Sequence, residues 1–271
     1  MDVEALLESY NPAGYERVVA LSPHLDDAAL GCCALLERAA RATVCVNTTV
    51  CCGDATIEPQ LRREPTDADA LRAHLGPADA RRNEDKRAMR ELGANYVHLG
   101  FADALHRRSP TTGDYIYDSP RGKWDEPRID DATHIEQLFV VMRRICGNMG
   151  ETLLVAPLGI GFHIDHAVAA HVALRLRGEG IDVIFYEDFP YCIDPDIGTN
   201  LADTPSNAAE RLGESLGTRL ALPLNVERKI EILRTYESQF PLLFDDVADI
   251  EDSLASRRYD DAPAEFFWTL D

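Results

Sequence analysis

Two short stretches of this sequence combine histidine and aspartate at a spacing that suits metal binding. The first is PHLDDA at 23–28, in which His24 and Asp27 are three residues apart and Asp26 lies between them. It follows the apolar run RVVALS and precedes a segment with helical spacing. Two adjacent carboxylates repel each other, so the pair needs a partner. Helix capping by Asp26 or Asp27 is one explanation, and a bound cation is another.

The second stretch is GFHIDH at 161–166, and it has the same setting in the chain. It follows the buried-strand pattern TLLVA and opens a segment with helical spacing. His163 and His166 are three residues apart, with Asp165 between them. Ligands of open α/β sheets bind outside the carboxyl ends of the strands, so we expect both stretches to line one crevice. Two such turns in one sheet favour a shared site over two independent caps.

Two histidines and one aspartate match a catalytic zinc site, which keeps a fourth position for water. We therefore predict one Zn²⁺ per chain, or another divalent metal in its place, bound by His24, Asp27 and His166. Zinc makes water nucleophilic at neutral pH and polarises a carbonyl group. Asp26 is then the predicted base. His163 is predicted to stabilise an oxyanion or to protonate a leaving amine.

The segments around these stretches alternate between apolar strands and amphipathic helices. The predicted strands lie at 17–22, 42–50, 95–99, 152–156 and 181–186. The predicted helices lie at 28–40, 79–92 with Asp79 as N-cap, from Asp131 or Thr133 to about 147, 165–177 and 225–238. The pattern predicts the α/β class, with a Rossmann-like, mostly parallel sheet and helices on both faces. We expect one domain over 1–271, with a C-terminal appendage and long loops at 103–130 and 194–216.

Composition excludes several classes of function. A net charge of −20 argues against nucleic-acid binding, which needs clustered Lys and Arg. The sequence has no apolar run of about 18 residues, which argues against a membrane span, and no secretory signal. The seven cysteines form no pair of CxxC motifs, so we expect reduced, mostly buried thiols and a cytoplasmic location. A homo-oligomer is compatible with the sequence, which does not define the oligomeric state.

With these motifs in place, the sequence resembles the PIG-L (LmbE-like) family of zinc-dependent deacetylases. PHLDDA is similar to the family motif PHPDDE, and HIDH at 163–166 is similar to the HxDH motif. The resemblance implies a Rossmann-like fold and removal of an N-acetyl group, usually from a glucosamine unit in a small-molecule substrate. It implies the same ligands and the same base as above. It also implies that His163 supports the tetrahedral intermediate and that Asp165 orients a histidine.

Further segments extend this resemblance over about 17–240. RRNEDKRAMRELGA at 81–94 is similar to the Arg-x-x-Glu helix of the family, which implies that Arg81 binds substrate. HLGFAD at 98–103 resembles the segment whose aspartate contacts sugar hydroxyls, which implies the same for Asp103. YESQF at 236–240 also has a counterpart in the family. Without the resemblance, Arg81 would be an exposed helix residue and Asp103 a turn residue.

The sequence departs from the family motif at two positions. Leu25 stands where the family has Pro, and Ala28 stands where it has Glu. Neither position is a ligand or the base, so the predicted zinc site is unaffected while the substrate is left open. One alternative is an amidase acting on another amide, such as a thiol conjugate or a natural-product intermediate. A second is a noncatalytic carbohydrate-binding protein with a decayed site.

Overall fold

The computed structural model describes residues 15–53, 77–118, 127–148, 150–193, 203–244 and 246–271. In these ranges eight strands form one sheet. They are β1 Arg17–Ser22, β2 Val44–Cys51, β3 Asn95–Phe101, β4 Thr152–Pro157, β5 Asp182–Tyr186, β6 Leu216–Pro223, β7 Arg258–Tyr259 and β8 Ala262–Leu270. The strand order is β3-β2-β1-β4-β5-β8-β6, and β7 pairs with β8. Strands β1 to β5 are parallel, whereas β8 runs antiparallel to each of its neighbours.

Helices connect the strands and cover both faces of the sheet. They are α1 Asp27–Ala42, α2 Ala78–Leu92, α3 Ala132–Cys146, α4 Ile164–Gly178, α5 Pro205–Arg211, α6 Val226–Leu233, α7 Phe240–Leu243 and α8 Val247–Ser256. Short 3-10 turns lie at Ala104–His106 and Ile129–Asp131. The predicted Rossmann-like fold is therefore confirmed. Among the described helices, none is both long enough and apolar enough to cross a lipid bilayer.

The strands supply two hydrophobic layers because alternate side chains point to opposite faces. In β1, Val18 and Ala20 belong to the core formed with α1, α2, α6 and α8. Val19 and Leu21 belong to the core formed with α3, α4 and α5. The same alternation continues in β4 and β5. Burial on both faces explains why these strands appear in the sequence as continuous apolar runs.

The site-bearing turns lie where the chain order across the sheet reverses. Strand β1 pairs with β2 on one side and with β4 on the other, and both pairs are parallel. The connections leaving β1 and β4 therefore diverge and open a crevice at the carboxyl ends of these strands. The turn after β1 contains His24, and the turn after β4 contains His163.

Several predictions about individual elements were wrong in detail. Asp79 is not the N-cap of α2, because the helix begins one residue earlier and Pro77 occupies that position. The predicted 194–216 loop includes the helix Pro205–Arg211, which Thr204 caps through its side chain. Helix α6 ends at Leu233, whereas 238 was predicted. Parts of both predicted loops, at 119–126 and 194–202, lie outside the described residues.

Helix α1 is interrupted in its second turn by a buried ion pair. Cys32 has φ and ψ of −144° and 35°, which are not helical angles. In a regular helix the Leu30 carbonyl would accept from the Ala34 N–H. Here the Leu30 carbonyl accepts from Lys229 Nζ at 2.6 Å, and the Ala34 N–H donates to Glu265 Oε2 at 3.0 Å. Lys229 and Glu265 are paired at 2.9 Å and are each 2% exposed, so the ion pair satisfies both ends of the interruption.

Replacing Lys229 with methionine is expected to lower the free energy of unfolding by about 3–5 kcal/mol, because Glu265 would remain buried without a counter-ion. Chemical denaturation measures this loss. Arg228→Met is the matched control, since the neighbouring Arg228 pairs with Glu37 and Glu231 at the surface. That change is expected to cost less than about 1 kcal/mol. Equal losses in the two variants would contradict a special role for the buried pair.

Candidate metal centre

Two histidine side chains, one from each turn, lie close to the same carboxylate oxygen of Asp27. Asp27 Oδ2 lies 3.1 Å from His24 Nδ1 and 3.2 Å from His166 Nε2, and all three residues are buried. Asp27 is the first residue of α1, and His166 lies in the first turn of α4. A tetrahedral zinc ion with ligand bonds of about 2.0–2.1 Å has ligand atoms about 3.3 Å apart. The structure thus brings the three predicted ligands together, and the two separations that involve Asp27 Oδ2 are close to those around a single cation.

The His24 ring is held in one orientation by carboxylates. Its Nε2 lies 3.1 Å from Asp165 Oδ2 and 3.3 Å from Asp103 Oδ2. Its backbone N–H donates to Asp27 Oδ2 at 2.7 Å. A proton on Nε2 satisfies the carboxylates and leaves the lone pair of Nδ1 for the metal position. Such a partner on the second ring nitrogen is typical of metal-bound histidine.

His166 has an equivalent partner in Asp188, which the sequence analysis missed. His166 Nδ1 lies 2.6 Å from Asp188 Oδ1, and Asp188 Oδ2 accepts from the N–H groups of Gly159 and Ile160 at 2.9 Å. His166 Nε2 is buried and makes no hydrogen bond of good geometry among the described residues, although Asp27 Oδ2 lies 3.2 Å away. An unsatisfied buried nitrogen of this kind suits a metal ligand. Asp188 closely follows strand β5, so the rule that identified the other two turns also applies to it.

Asp188→Asn is expected to weaken metal binding by about 10- to 100-fold, because the amide cannot accept the His166 proton as strongly as a carboxylate does. Competition with a chromophoric chelator measures this affinity. Glu187→Gln is the control, since Glu187 is also buried but pairs with Arg257. An unchanged affinity in the Asp188 variant, or an equal loss in both, would count against the assignment.

The three predicted ligands also shift one another's pKa values, each favouring the charged form of its neighbour. Burial lowers the pKa of His166, but Asp27 and Asp188 outweigh burial and raise this pKa to about 9. Burial likewise opposes the charged form of His24, yet Asp27, Asp103 and Asp165 raise its pKa well above the usual value. Burial raises the pKa of Asp27, but the two histidines outweigh it and lower that pKa well below its usual value. The cluster therefore stabilises an ionised Asp27 carboxylate next to positive charge.

Asp26 lies at the N-cap position of α1 but makes no side-chain capping hydrogen bond. Capping therefore does not explain this residue. Its carboxylate is buried, and burial together with the charge of Asp27 raises its pKa, against the influence of Arg81 and His24. A carboxylate with a raised pKa accepts a proton more readily, as a general base must.

Arg81 lies on α2 and is buried, so it is not an exposed helix residue. Its Nε atom has no hydrogen-bond partner among the described residues. Arg81 is close enough to Asp26 to oppose the rise of that carboxyl's pKa. The predicted substrate-binding residue is therefore at the site, beside the predicted base.

His163 and Asp165 lie at the start of α4. His163 is the N-cap, and its Nδ1 accepts from the Asp165 N–H at 3.2 Å. The His163 ring centroid lies 4.6 Å from that of His24 and 5.0 Å from that of His166. Since Nδ1 is an acceptor, the ring proton of a neutral His163 is on Nε2. The Asp165 Oδ2 atom lies 3.1 Å from His24 Nε2, so His24 is the histidine that Asp165 is positioned to orient.

A cavity of about 420 Å³ is lined in part by Asp103, whose carboxylate connects it to the predicted ligand His24. Asp103 reaches His24 and also accepts from the Leu105 N–H at 2.8 Å. The other polar lining residues include His106, Arg107, Tyr115, His134 and Gln137. The predicted 103–130 loop and the start of α3 therefore form the wall of a cavity beside the site.

Tyr191 is a second residue that the sequence analysis missed. Its ring meets His166 edge-on, with centroids 5.5 Å apart and an interplanar angle of 75°. It packs against Gly161, where a Cβ atom would lie 2.6 Å from Tyr191 Cβ. Burial and the carboxylates of Asp27 and Asp26 raise the Tyr191 pKa well above its usual value, so its hydroxyl remains a donor. No sequence motif indicated this residue.

A second group of potential ligands shares His24 with the first. His24, Cys51 and Asp165 have ligand atoms within 4.8 Å of one another. Asp165 is already bound by Arg107 and by the Ala104 N–H. Burial also raises the pKa of Cys51 well above its usual value, which opposes the thiolate form that binds metal. Cys51 is therefore a weak candidate ligand. A further group, His24, His163 and His166, also has ligand atoms within 4.8 Å of one another and shares two histidines with the predicted set.

This fold has counterparts among known proteins. The solved complex of a deacetylase with teicoplanin, from the teicoplanin biosynthesis pathway, has a TM-score of 0.71 and 25% identity, covering 94% of this chain and 98% of that chain. A family model described as PIG-L, GlcNAc-PI de-N-acetylase, matches residues 19–176 and so includes both His/Asp motifs. The chain belongs to the PIG-L family.

Two relatives with named activities are similar over part of their length. A 2′-N-acetylparomamine deacetylase of Niallia circulans is 29% identical over 188 residues, which is 63% of this chain and 66% of that protein. A 2′-N-acetylparomamine deacetylase of Streptomyces fradiae is 30% identical over 183 residues, which is 65% of this chain and 57% of that protein. The chain thus spans less than two thirds of the length of either relative.

Proposed function

We propose that this protein is a zinc-dependent N-deacetylase that removes an acetyl group from an amino-sugar-containing small molecule. The observation that carries the proposal is the convergence of His24 Nδ1, Asp27 Oδ2 and His166 Nε2, with Asp26 beside them. Nitrogen and carboxylate donors in this combination suit zinc. A divalent cation held there would acidify water and polarise the amide carbonyl.

Asp26 accepts the proton of the attacking water as the water oxygen bonds to the carbonyl carbon. Asp26 suits this step because it is buried, is not needed as a cap and has a raised pKa. His163 donates its Nε2 proton toward the negative charge that develops on the carbonyl oxygen. Asp165 and Asp188 keep the two ligand histidines oriented.

The reaction ends when the C–N bond breaks and the amine nitrogen takes up a proton. Asp26 can return the proton that it accepted, or His163 can supply one. Acetate and a free amine are the products whether Asp26 or His163 supplies the proton, so the overall reaction is the same in both cases. Arg81, which influences the Asp26 carboxyl, and Asp103, which lies beside His24, are the residues proposed to contact the sugar.

The relatives support the proposed class of substrate. Their names give 2′-N-acetylparomamine as a deacetylation substrate, and the solved complex pairs a deacetylase with teicoplanin. These substrates are amino-sugar-like. The 420 Å³ cavity beside Asp103 gives room for a substrate larger than one acetylated sugar.

The test is a panel of N-acetylated amino sugars and conjugates, including 2′-N-acetylparomamine, incubated with zinc-loaded and with chelator-treated protein. Release of free amine and acetate in equal amounts, lost on chelation and restored by zinc, is the expected result. Sugar binding without any release would favour a carbohydrate-binding protein. Release only from amides that lack a sugar would favour the amidase alternative. Absence of bound metal would contradict both the deacetylase proposal and the amidase alternative.

A further inference from the structure

We propose that Arg107 is a positioning residue for the metal centre, which it links to the wall of the neighbouring cavity. The inference rests on the proposed function in one respect, the assignment of His24 as a metal ligand. The sequence analysis gave Arg107 no role. It lies in the 103–130 loop, where a charged residue is ordinarily exposed, yet it is 5% exposed.

Arg107 binds two buried carboxylates from different parts of the chain. Its Nη1 pairs with Asp165 Oδ1, and its Nη2 lies 2.8 Å from Asp131 Oδ2. Nη1 also donates to the Ala102 carbonyl at 3.3 Å. Both carboxylates are almost completely buried. A planar guanidinium can hold two carboxylates in fixed directions, which an ammonium group cannot do.

Through Asp165, Arg107 determines where the His24 ring lies. Asp165 uses one oxygen for Arg107 and the other for His24 Nε2, at 3.1 Å, and for the Ala104 N–H, at 3.0 Å. Without Arg107, the Asp165 carboxylate would lose the ion pair at Oδ1 and would be held at Oδ2 alone, by the Ala104 N–H and His24. One of the two acceptors at His24 Nε2 would then be less firmly fixed, while Asp103 Oδ2 at 3.3 Å would remain.

Through Asp131, the same arginine joins the metal centre to the cavity wall. Asp131 precedes α3 and was one of two predicted caps, the other being Thr133, but it makes no side-chain capping bond. Its carboxylate instead binds Arg107 and accepts from the Tyr117 hydroxyl at 2.7 Å. Arg107 and Asp131 both line the 420 Å³ cavity. Buried charges thus connect the cavity wall to a predicted metal ligand.

The test measures zinc affinity directly, by chelator competition with zinc alone, alongside thermal stability. Arg107→Gln is expected to lower zinc affinity by about 10- to 100-fold, as loss of an outer-shell partner does. Arg107→Lys keeps the charge and is expected to recover part of that affinity. Asp131→Asn leaves the Arg107–Asp165 pair intact, so it is expected to lower the melting temperature and to leave zinc affinity within about threefold.

Arg108→Gln is the matched control. Arg108 is adjacent in sequence and lines the same cavity, but it stacks on Tyr115 with its guanidinium carbon 4.1 Å from the ring centre. This variant is expected to change KM on any substrate that fills the cavity, with zinc affinity unchanged.

If Arg107→Gln does not fold, the double variant of Arg107→Gln with Asp131→Asn takes its place, because it removes one buried positive charge and one buried negative charge. Compared with Asp131→Asn alone, it isolates the contact of Arg107 with Asp165. Zinc affinity equal to that of the Asp131 variant would overturn the inference while leaving the proposed function intact. Failure of the unmodified protein to bind zinc would overturn both.

Discussion

Asp26→Asn is expected to lower kcat by about 10²- to 10⁴-fold, the range that a positioned general base supplies. Asparagine has nearly the same shape as aspartate, but its amide oxygen does not accept a proton from water at neutral pH. Asp26 donates no ligand atom to the cluster around Asp27, and it makes no capping bond that the change would break. Zinc content is therefore expected to remain at one ion per chain. Steady-state kinetics and metal analysis of the same preparation check both expectations.

The matched comparison is Asp27→Asn, one residue further along the chain. Asp27 Oδ2 faces both predicted ligand histidines, so this variant is expected to lose zinc as well as turnover. Retained turnover in the Asp26 variant would refute the base assignment. Loss of zinc from the Asp26 variant would show that the two adjacent aspartates do not have separate roles as base and metal ligand.

His166→Ala is expected to abolish zinc binding and, with it, turnover. The imidazole supplies the one predicted ligand atom from the second motif, and its Nε2 lies 3.2 Å from Asp27 Oδ2. The loss of affinity is expected to exceed the about 10- to 100-fold effect of removing an outer-shell partner. Chelator competition with zinc measures it, and the Asp188 variant gives the intermediate value.

His171→Ala provides the control for this change, because His171 is on the same helix, five residues further along. It tests for a general effect of losing an imidazole from α4. Equal zinc loss in the two variants would contradict the assignment of His166. If His166→Ala kept its zinc, the metal would have to be held by a different set of ligands, such as His24 and His163.

The sequence predicted much of the parallel half of the sheet because β1, β4 and β5 are buried on both faces and so appear as apolar runs. The same reasoning missed α5 at Pro205–Arg211, since that helix is two turns long and lies in a polar, proline-containing segment. Strand β8 pairs with β5 and β6, so the predicted appendage contributes a strand within the sheet. Pairing between segments so distant in sequence leaves no local pattern to read.

The residues of the site divide in a similar way. His24, Asp27 and His166 were predictable because each follows a strand whose carboxyl end borders the crevice. The residues that orient them were harder to identify. Arg107 lies in a loop without periodicity, and its partners are 24 and 58 residues away in sequence. Such contacts depend on tertiary structure, and composition does not indicate them.

The ion pair that interrupts α1 has a consequence for how the chain folds while it is being synthesised. The helix that begins at Asp27 depends on Lys229 and Glu265 for the two backbone groups exposed at its interruption. A ribosome delivers Asp27 first and Glu265 more than two hundred residues later. The interruption around Cys32 therefore lacks these two partners during most of translation. A fragment confined to the family-matched residues 19–176 would contain every predicted metal ligand but would lack the side chains that stabilise the interrupted helix.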